Sequence, residues 1–215
     1  MRDEETGSWW QQVSGKAIHG PLQGRQLKSV FRDEVSFAIF KGEQPNGRVL
    51  KPDEKIVAKE DYEPADWEAK VGRMRTVAGT DVDKRLAPRT LVMGIELNGK
   101  SVAYPLSALQ KQSPIIDMIG ATPIVVALGE DNRSVRAFER TVEGRTLEVF
   151  QKKDDKNPQF QLIDAETGST WNFEGKATSG PLAGRQLKKV FVLEDYWFDW
   201  RIYDPATAVY QLGPQ

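Results

Sequence analysis

Cysteine is missing from the 215 residues. Its absence excludes disulfides, thiolate metal sites and a cysteine nucleophile. It leaves the compartment open, because secreted proteins also do without cysteine. Histidine is nearly missing: His19 stands alone, so a metal site would fall to carboxylates and a Ser-His-Asp set to that one ring. No G-x-S-x-G elbow is present. No apolar run approaches the ~20 residues of a membrane-spanning helix. An excess of either charge is also lacking, with 30 Lys and Arg interspersed among 31 Asp and Glu. No basic stripe is available to neutralise phosphates, so nucleic acid is not an expected partner. The opening MRDEETGS is polar and acidic, and no signal peptide is expected in it. No cofactor, metal or catalytic residue is expected. What remains, 39% hydrophobic and 28% charged residues, describes a soluble globular protein with enough chain to bury a sizeable core.

The sequence has one organising passage, written twice. GKAIHGPLQGRQLKSVF at 15–31 returns as GKATSGPLAGRQLKKVF at 175–191, with thirteen of seventeen positions identical. DEETGS at 3–8 likewise returns as DAETGS at 164–169, each followed by Trp, at Trp10 and Trp171. Such self-similarity implies a duplicated structural unit. The Thr-Gly-Ser passages read as turns, the Trp residues as strand starts, and WQQVSG against WNFEG as a loop or bulge variation. GPLQG and GPLAG read as rigid turns, and RQLK with the following Val-Phe as a short strand. Further on, Phe37 and Phe40 match Trp197 and Trp200, aromatics three apart on one face of a short helix and expected in the core.

Between the two passages, 51–88 reads as a surface connection with one short amphipathic helix near Pro64–Met74. Strands are expected at Leu91–Leu97 and Ser101–Tyr104 about an Asn98-Gly99 turn, with a turn or two of helix at Pro105–Lys111. A buried strand at Thr122–Leu128 follows, then strands at Val135–Arg140, Thr146–Lys152 and Phe160–Ile163. The expected fold is therefore α+β and β-rich: an internally duplicated unit in a pseudo-two-fold arrangement, with short aromatic-faced helices on antiparallel sheets. The expected organisation is a single domain over 1–215, with a first, partial repeat at 1–50, a connection at 51–88 and a complete second repeat at 89–215. The first repeat lacks the front half that precedes the second, and two readings are open: the strands of that half were lost, or Met1 is an internal residue of the unit.

These passages, with GIELNGKSVAYPLSAL, FERTVEGRTL and YWFDW before DPAT, resemble the bacterial and archaeal protein family of unknown function numbered 3179. The resemblance runs over nearly the whole chain. It implies a duplicated α+β or mostly β domain, often within exported or membrane-anchored proteins, and no established activity. Family members usually carry Cys-Pro-x-Cys before the first DxETGS motif. This sequence starts after that point, and its second half reads ALGED at the corresponding place.

Gly94–Ser101 spells the phosphate-loop pattern G-x-x-x-x-G-K-S, but its interior is strand and turn, and Val102–Pro105 is a poor helix start, so a hairpin is expected. Asp3 with Glu5, or Asp164 with Glu166, stand beside Thr, Ser and Trp as in sites of carbohydrate hydrolysis. Their presence in both passages points rather to a folding requirement. The differences between the passages are the better functional clue. Trp9 faces Thr170, Gln12 faces Phe173 and His19 faces Ser179. Thr6, Ser8, Trp9, Trp10, Gln12 and His19 are therefore the candidate ligand-binding residues. The leading reading is a non-catalytic binding or interaction module for a small polar or glycan-like ligand, or for a protein partner. A carboxylate-dependent hydrolase and a purely structural domain of a larger exported protein are the alternatives.

Overall fold

The computed structural model describes residues 1–28, 30–51, 53–57, 66–76, 83–152 and 160–213. They fall into two compact units, Met1–Arg32 and Asp33–Gln215. The first unit holds a hairpin of β1 (Trp9–Trp10) and β2 (Ala17–His19), with Trp9 opposite His19 and Trp10 opposite Ala17. In the second unit α1 (Phe37–Glu43), α2 (Glu54–Val57) and α3 (Trp67–Val71) come first. Then follow β3 (Leu91–Leu97), β4 (Lys100–Pro105), α4 (Leu106–Lys111), β5 (Ile115–Ile119), β6 (Thr122–Leu128) and β7 (Val135–Glu139). The chain continues through β8 (Thr141–Val142), β9 (Arg145–Thr146), β10 (Val149–Gln151), β11 (Leu162–Asp164), β12 (Thr170–Trp171) and β13 (Ala177–Ser179). It ends with β14 (Lys188–Val190), β15 (Leu193–Tyr196), α5 (Trp197–Tyr203) and β16 (Ala208–Val209). The fold is β-rich α+β, and its only parallel ladder among the described residues is β16 on β4.

Three four-stranded sheets build the second unit, in the orders β10-β11-β12-β13, β14-β7-β6-β5 and β15-β3-β4-β16. The sheet containing β6 is covered on both faces. Val125 and Ala127 enter one core with Leu147, Val149, Leu162 and Trp171. Ile124, Val126 and Leu128 enter another with Met93, Ile95, Tyr104 and Leu109. This is why TPIVVAL is apolar without alternation: a strand buried on both faces has no polar side.

The literal phosphate-loop pattern is the β3–β4 hairpin, turning through Asn98 at φ 53° and Gly99 at φ 71°. At its start Gly94 lies beneath α5, where a Cβ would stand 2.4 Å from the Trp200 ring. Trp197 and Trp200 are buried there with Val92 and Ala103, as an aromatic helix face in the core requires. The matching helix α1 departs from that expectation. Ile39 is its buried residue, in the core with Phe138, while Phe37 is 63% exposed, its ring centroid 6.3 Å from that of Phe40. An aliphatic side chain between the two aromatics faces the core instead.

Other departures are local. The short helix in the connection is α3; Pro64 and residue 65, at its expected start, lie outside the described residues. A second helix in the connection, α2, was not expected. The strand expected from RQLK onward forms in the second passage, as Lys188–Val190 against β7. A bridge just before it is common to both passages, Lys16 to Gln26 and Lys176 to Gln186. In the first passage Ser29, inside the expected strand, lies outside the described residues. The bulge next to Trp is common to both hairpins. The one-residue difference is absorbed in the turn: the Gly15 N–H donates to the Gln11 carbonyl four residues back, whereas that of Gly175 reaches Asn172, three back.

Candidate functional site

Three of the six candidate residues tie the first unit together. The Thr6 N–H and hydroxyl donate to Asp3 Oδ1 at 2.6 and 2.8 Å, and the Trp10 indole donates to Asp3 Oδ2 at 2.8 Å. The Ser8 and Thr6 hydroxyls bond at 2.7 Å, and Ser8 Oγ accepts the Leu22 N–H at 3.1 Å. The same set recurs in the second unit. Asp164 takes Thr167 at 2.7 and 2.8 Å and the Trp171 indole at 2.9 Å, while Ser169 takes the Leu182 N–H at 3.0 Å. Two glycines allow this closure. A Cβ on Gly20 (φ 98°) would meet the Ser8 Cα at 2.8 Å, and one on Gly180 (φ 87°) the Ser169 Cα at 2.6 Å. The Trp10 indole bond, with the Thr6 bonds, holds the Asp3 carboxyl down at about 2. A carboxyl held so low does not donate a proton at neutral pH.

Trp9, Gln12 and His19 remain on the surface. Trp9 is 49% exposed, opposite His19 in the ladder, and Gln12 is exposed in the hairpin turn. The structure thus brings Thr6, Ser8 and Trp10 together around Asp3, and sets Trp9 and His19 side by side on the outside.

A larger concavity lies wholly within the second unit, a cleft of about 800 Å³. Its walls come from the end of α4, the start of β5, the turn after β6, and β10. β5 and β10 are the edge strands of their sheets, so no further strand closes the space between them. The buried side chains of Leu109, Leu128 and Val149 form an apolar floor. Gln110, Gln112, Asn132 and Gln151 place carboxamides on the exposed rim, and Phe150, 56% exposed, adds an aromatic ring. Among the described residues, Lys111 and Glu130 are the charged members of the lining, and they oppose each other in sign. Glu130 already accepts the Phe160 N–H at 3.1 Å. The described lining is therefore amphipathic, with its two charges balanced. Sequence reasoning missed it, because its residues come from three separated stretches with no local pattern.

A second feature missed in the sequence is Asp195 on β15. Burial, with the charge of Asp199 on α5 and then of Glu34, pushes its carboxyl up to about 6. Tyr104 donates to Asp117 at 2.8 Å, and burial raises its hydroxyl far above the ordinary range. Among the described residues no group of three or more His, Asp or Glu side chains is placed to hold a metal ion. Among the same residues no helix is long and apolar enough to cross a membrane.

The family described as "Protein of unknown function (DUF3179)" matches residues 1–207. No curated protein and no solved structure matches the chain.

Proposed function

The chain belongs to that family of unknown function, and we propose that it is a non-catalytic binding module whose cleft between α4, β5 and β10 takes a small, neutral, glycan-like ligand. The observation that carries this reading is the combination in one cleft of an apolar floor, a carboxamide rim and the exposed ring of Phe150. About 800 Å³ lies within the usual range for small-molecule sites. Carboxamides offer both a donor and an acceptor, which suits hydroxyl groups that do both. An aromatic ring suits the C–H face of a sugar, and balanced charge disfavours ionic ligands. The hydrogen bonds shared by the two DxETGS passages support reading them as copies of one unit, with Asp3 and Asp164 holding the fold.

Calorimetric titration of the full chain with neutral oligosaccharides (maltotriose, cellotriose and chitotriose) tests the reading. At least one is expected to bind saturably, with about tenfold loss in Phe150→Ala and in Gln151→Ala. Absence of binding across the set, or binding indifferent to both substitutions, contradicts it.

A carboxylate-dependent hydrolase is the second reading, favoured by Asp195. A carboxyl raised to about 6 beside Asp199 keeps a proton in mildly acidic solution, as a general acid must. Release of reducing sugar that is lost in Asp195→Asn supports the hydrolase; intact oligosaccharide after prolonged incubation supports binding alone.

A further inference from the structure

In the second unit Arg85, Arg136, Arg140 and Arg185 each face a carboxylate, at Asp83, Asp33, Glu148 and Glu143. Arg73, Arg75 and Arg89 have no ion pair among the described residues. These three line one pocket of about 570 Å³, and its described lining contains no acid. Arg89 is held in place there. Its Nε donates to the Met74 carbonyl at 3.2 Å and its Nη2 to that of Arg75 at 3.4 Å. Its guanidinium carbon lies 4.7 Å from the Phe198 ring centroid and 5.1 Å from that of Tyr196. The Phe198 N–H donates to the Pro88 carbonyl at 2.9 Å, which ties this wall of the pocket to α5. The Nη1 of Arg89 makes no hydrogen bond among the described residues. Arg73 and Arg75 come from a second stretch of chain, just after α3, and are exposed.

We propose that this pocket binds a phosphate monoester, through Arg73, Arg75 and Arg89. Like charges gathered in one concavity raise the local potential and draw in an ion of opposite sign. A guanidinium stacked on aromatic rings keeps the N–H donors in its plane, where an oxyanion meets them. The choice between oxyanions follows from the number of arginines. A carboxylate presents two oxygens in one plane, which a single fork satisfies. A phosphate monoester carries nearly two charges and three terminal oxygens, which several arginines can share. Met74, Ala87 and Pro88 offer apolar surface to the rest of the ligand. The pocket shares no lining residue with the cleft between α4, β5 and β10 and does not depend on what that cleft binds.

The probe is glycerol 3-phosphate, titrated into the full chain by calorimetry at low salt, with malonate as a dicarboxylate of the same charge. Saturable binding of glycerol 3-phosphate is expected, weakened about tenfold by Arg73→Gln and by Arg75→Gln, with malonate at least about tenfold weaker. Both arginines are exposed, so these variants keep the fold. Arg73→Gln is expected to leave the oligosaccharide titration unchanged, which separates this site from the cleft. No saturable binding of glycerol 3-phosphate, binding indifferent to both substitutions, or equal binding of malonate overturns the proposal. Sedimentation with phosphatidylcholine vesicles containing phosphatidic acid then distinguishes the source of the phosphate. Co-sedimentation lost in both variants assigns it to a lipid headgroup; chain left in the supernatant assigns it to a soluble ligand.

Discussion

Trp171 donates its indole N–H to Asp164 across 2.9 Å, with the indole fully buried and the carboxylate 1% exposed. The same carboxylate takes the Thr167 N–H and hydroxyl, so one side chain satisfies three donors. Asp164→Ala leaves the buried Trp171 indole N–H without its acceptor and removes that of the partly buried Thr167 N–H, while the Thr167 hydroxyl keeps Ser169. A loss of about 3 kcal/mol in guanidinium denaturation is expected. Trp171→Phe keeps most of the apolar contact but strands the acceptor, and about 2 kcal/mol is expected. A loss below about 0.5 kcal/mol for Asp164→Ala would show that the network is not what holds this turn.

The glycines beside the network separate two effects that usually travel together. Gly180 and Gly184 have nearly equal positive φ, 87° and 85°. A Cβ on Gly180 would stand 2.6 Å from the Ser169 backbone, whereas one on Gly184 would meet nothing within 4 Å. Gly184→Ala therefore carries only the left-handed penalty, about 1 kcal/mol. Gly180→Ala adds a backbone collision and is expected to cost about 3 kcal/mol. Equal effects in thermal unfolding would contradict the close approach.

Arg136 is a charge held inside the second unit, its side chain 5% exposed. It bonds Glu43 at 2.8 Å and Asp33 at 3.0 Å, and lies 4.7 Å over the Phe173 ring. Arg136→Met keeps the volume but leaves two half-buried carboxylates, of which Lys189 serves only Asp33, at 2.6 Å. A loss of about 2 to 3 kcal/mol is expected. Arg136→Lys keeps the charge without the planar fork and should fall between the two. Urea unfolding of the three proteins checks this order.

Asp195 sets the pH dependence. Burial and the charge of Asp199 push its carboxyl up to about 6 in the folded chain, against about 3.9 for an ordinary aspartate, so the folded state binds that proton more tightly. Its contribution to stability is complete below about 4 and is lost as pH rises toward 6. The group is only partly buried, so solvent screening reduces the effect, and Asp195→Asn is expected to stabilise by about 1 kcal/mol at pH 7. Near pH 3.5 the substitution should change nothing. Melting curves at the two pH values test the sign; stabilisation at the acidic value alone would reverse it.

Much of the architecture was legible where a short stretch carries its own instruction. Asn98-Gly99 specifies the β3–β4 turn, and the unbroken TPIVVAL specifies a strand covered on both faces. The DxETGS–Trp passages carry a complete local network, since the acceptor, its three donors and the hydroxyl relay lie within eight residues. The inward face of α1 was not legible, because Phe37, Ile39 and Phe40 all satisfy an apolar pattern and only the packed sheet selects Ile39. The cleft was not legible either. Gln112, Asn132 and Phe150 are ordinary surface residues in sequence and converge only because two sheet edges end at one place. Of the expected ligand-binding residues, Thr6, Ser8 and Trp10 carry the fold's own hydrogen bonds, while Trp9, Gln12 and His19 stand free on the surface.

The most direct measurement of the binding reading is a two-dimensional amide NMR titration of the full chain with the tightest oligosaccharide from the calorimetric series. Chemical-shift changes confined to Leu109–Ile116, Leu128–Asn132 and Val149–Gln151, with the sugar recovered intact, are the expected result. Changes centred on any other surface, or conversion of the sugar to product, would contradict it.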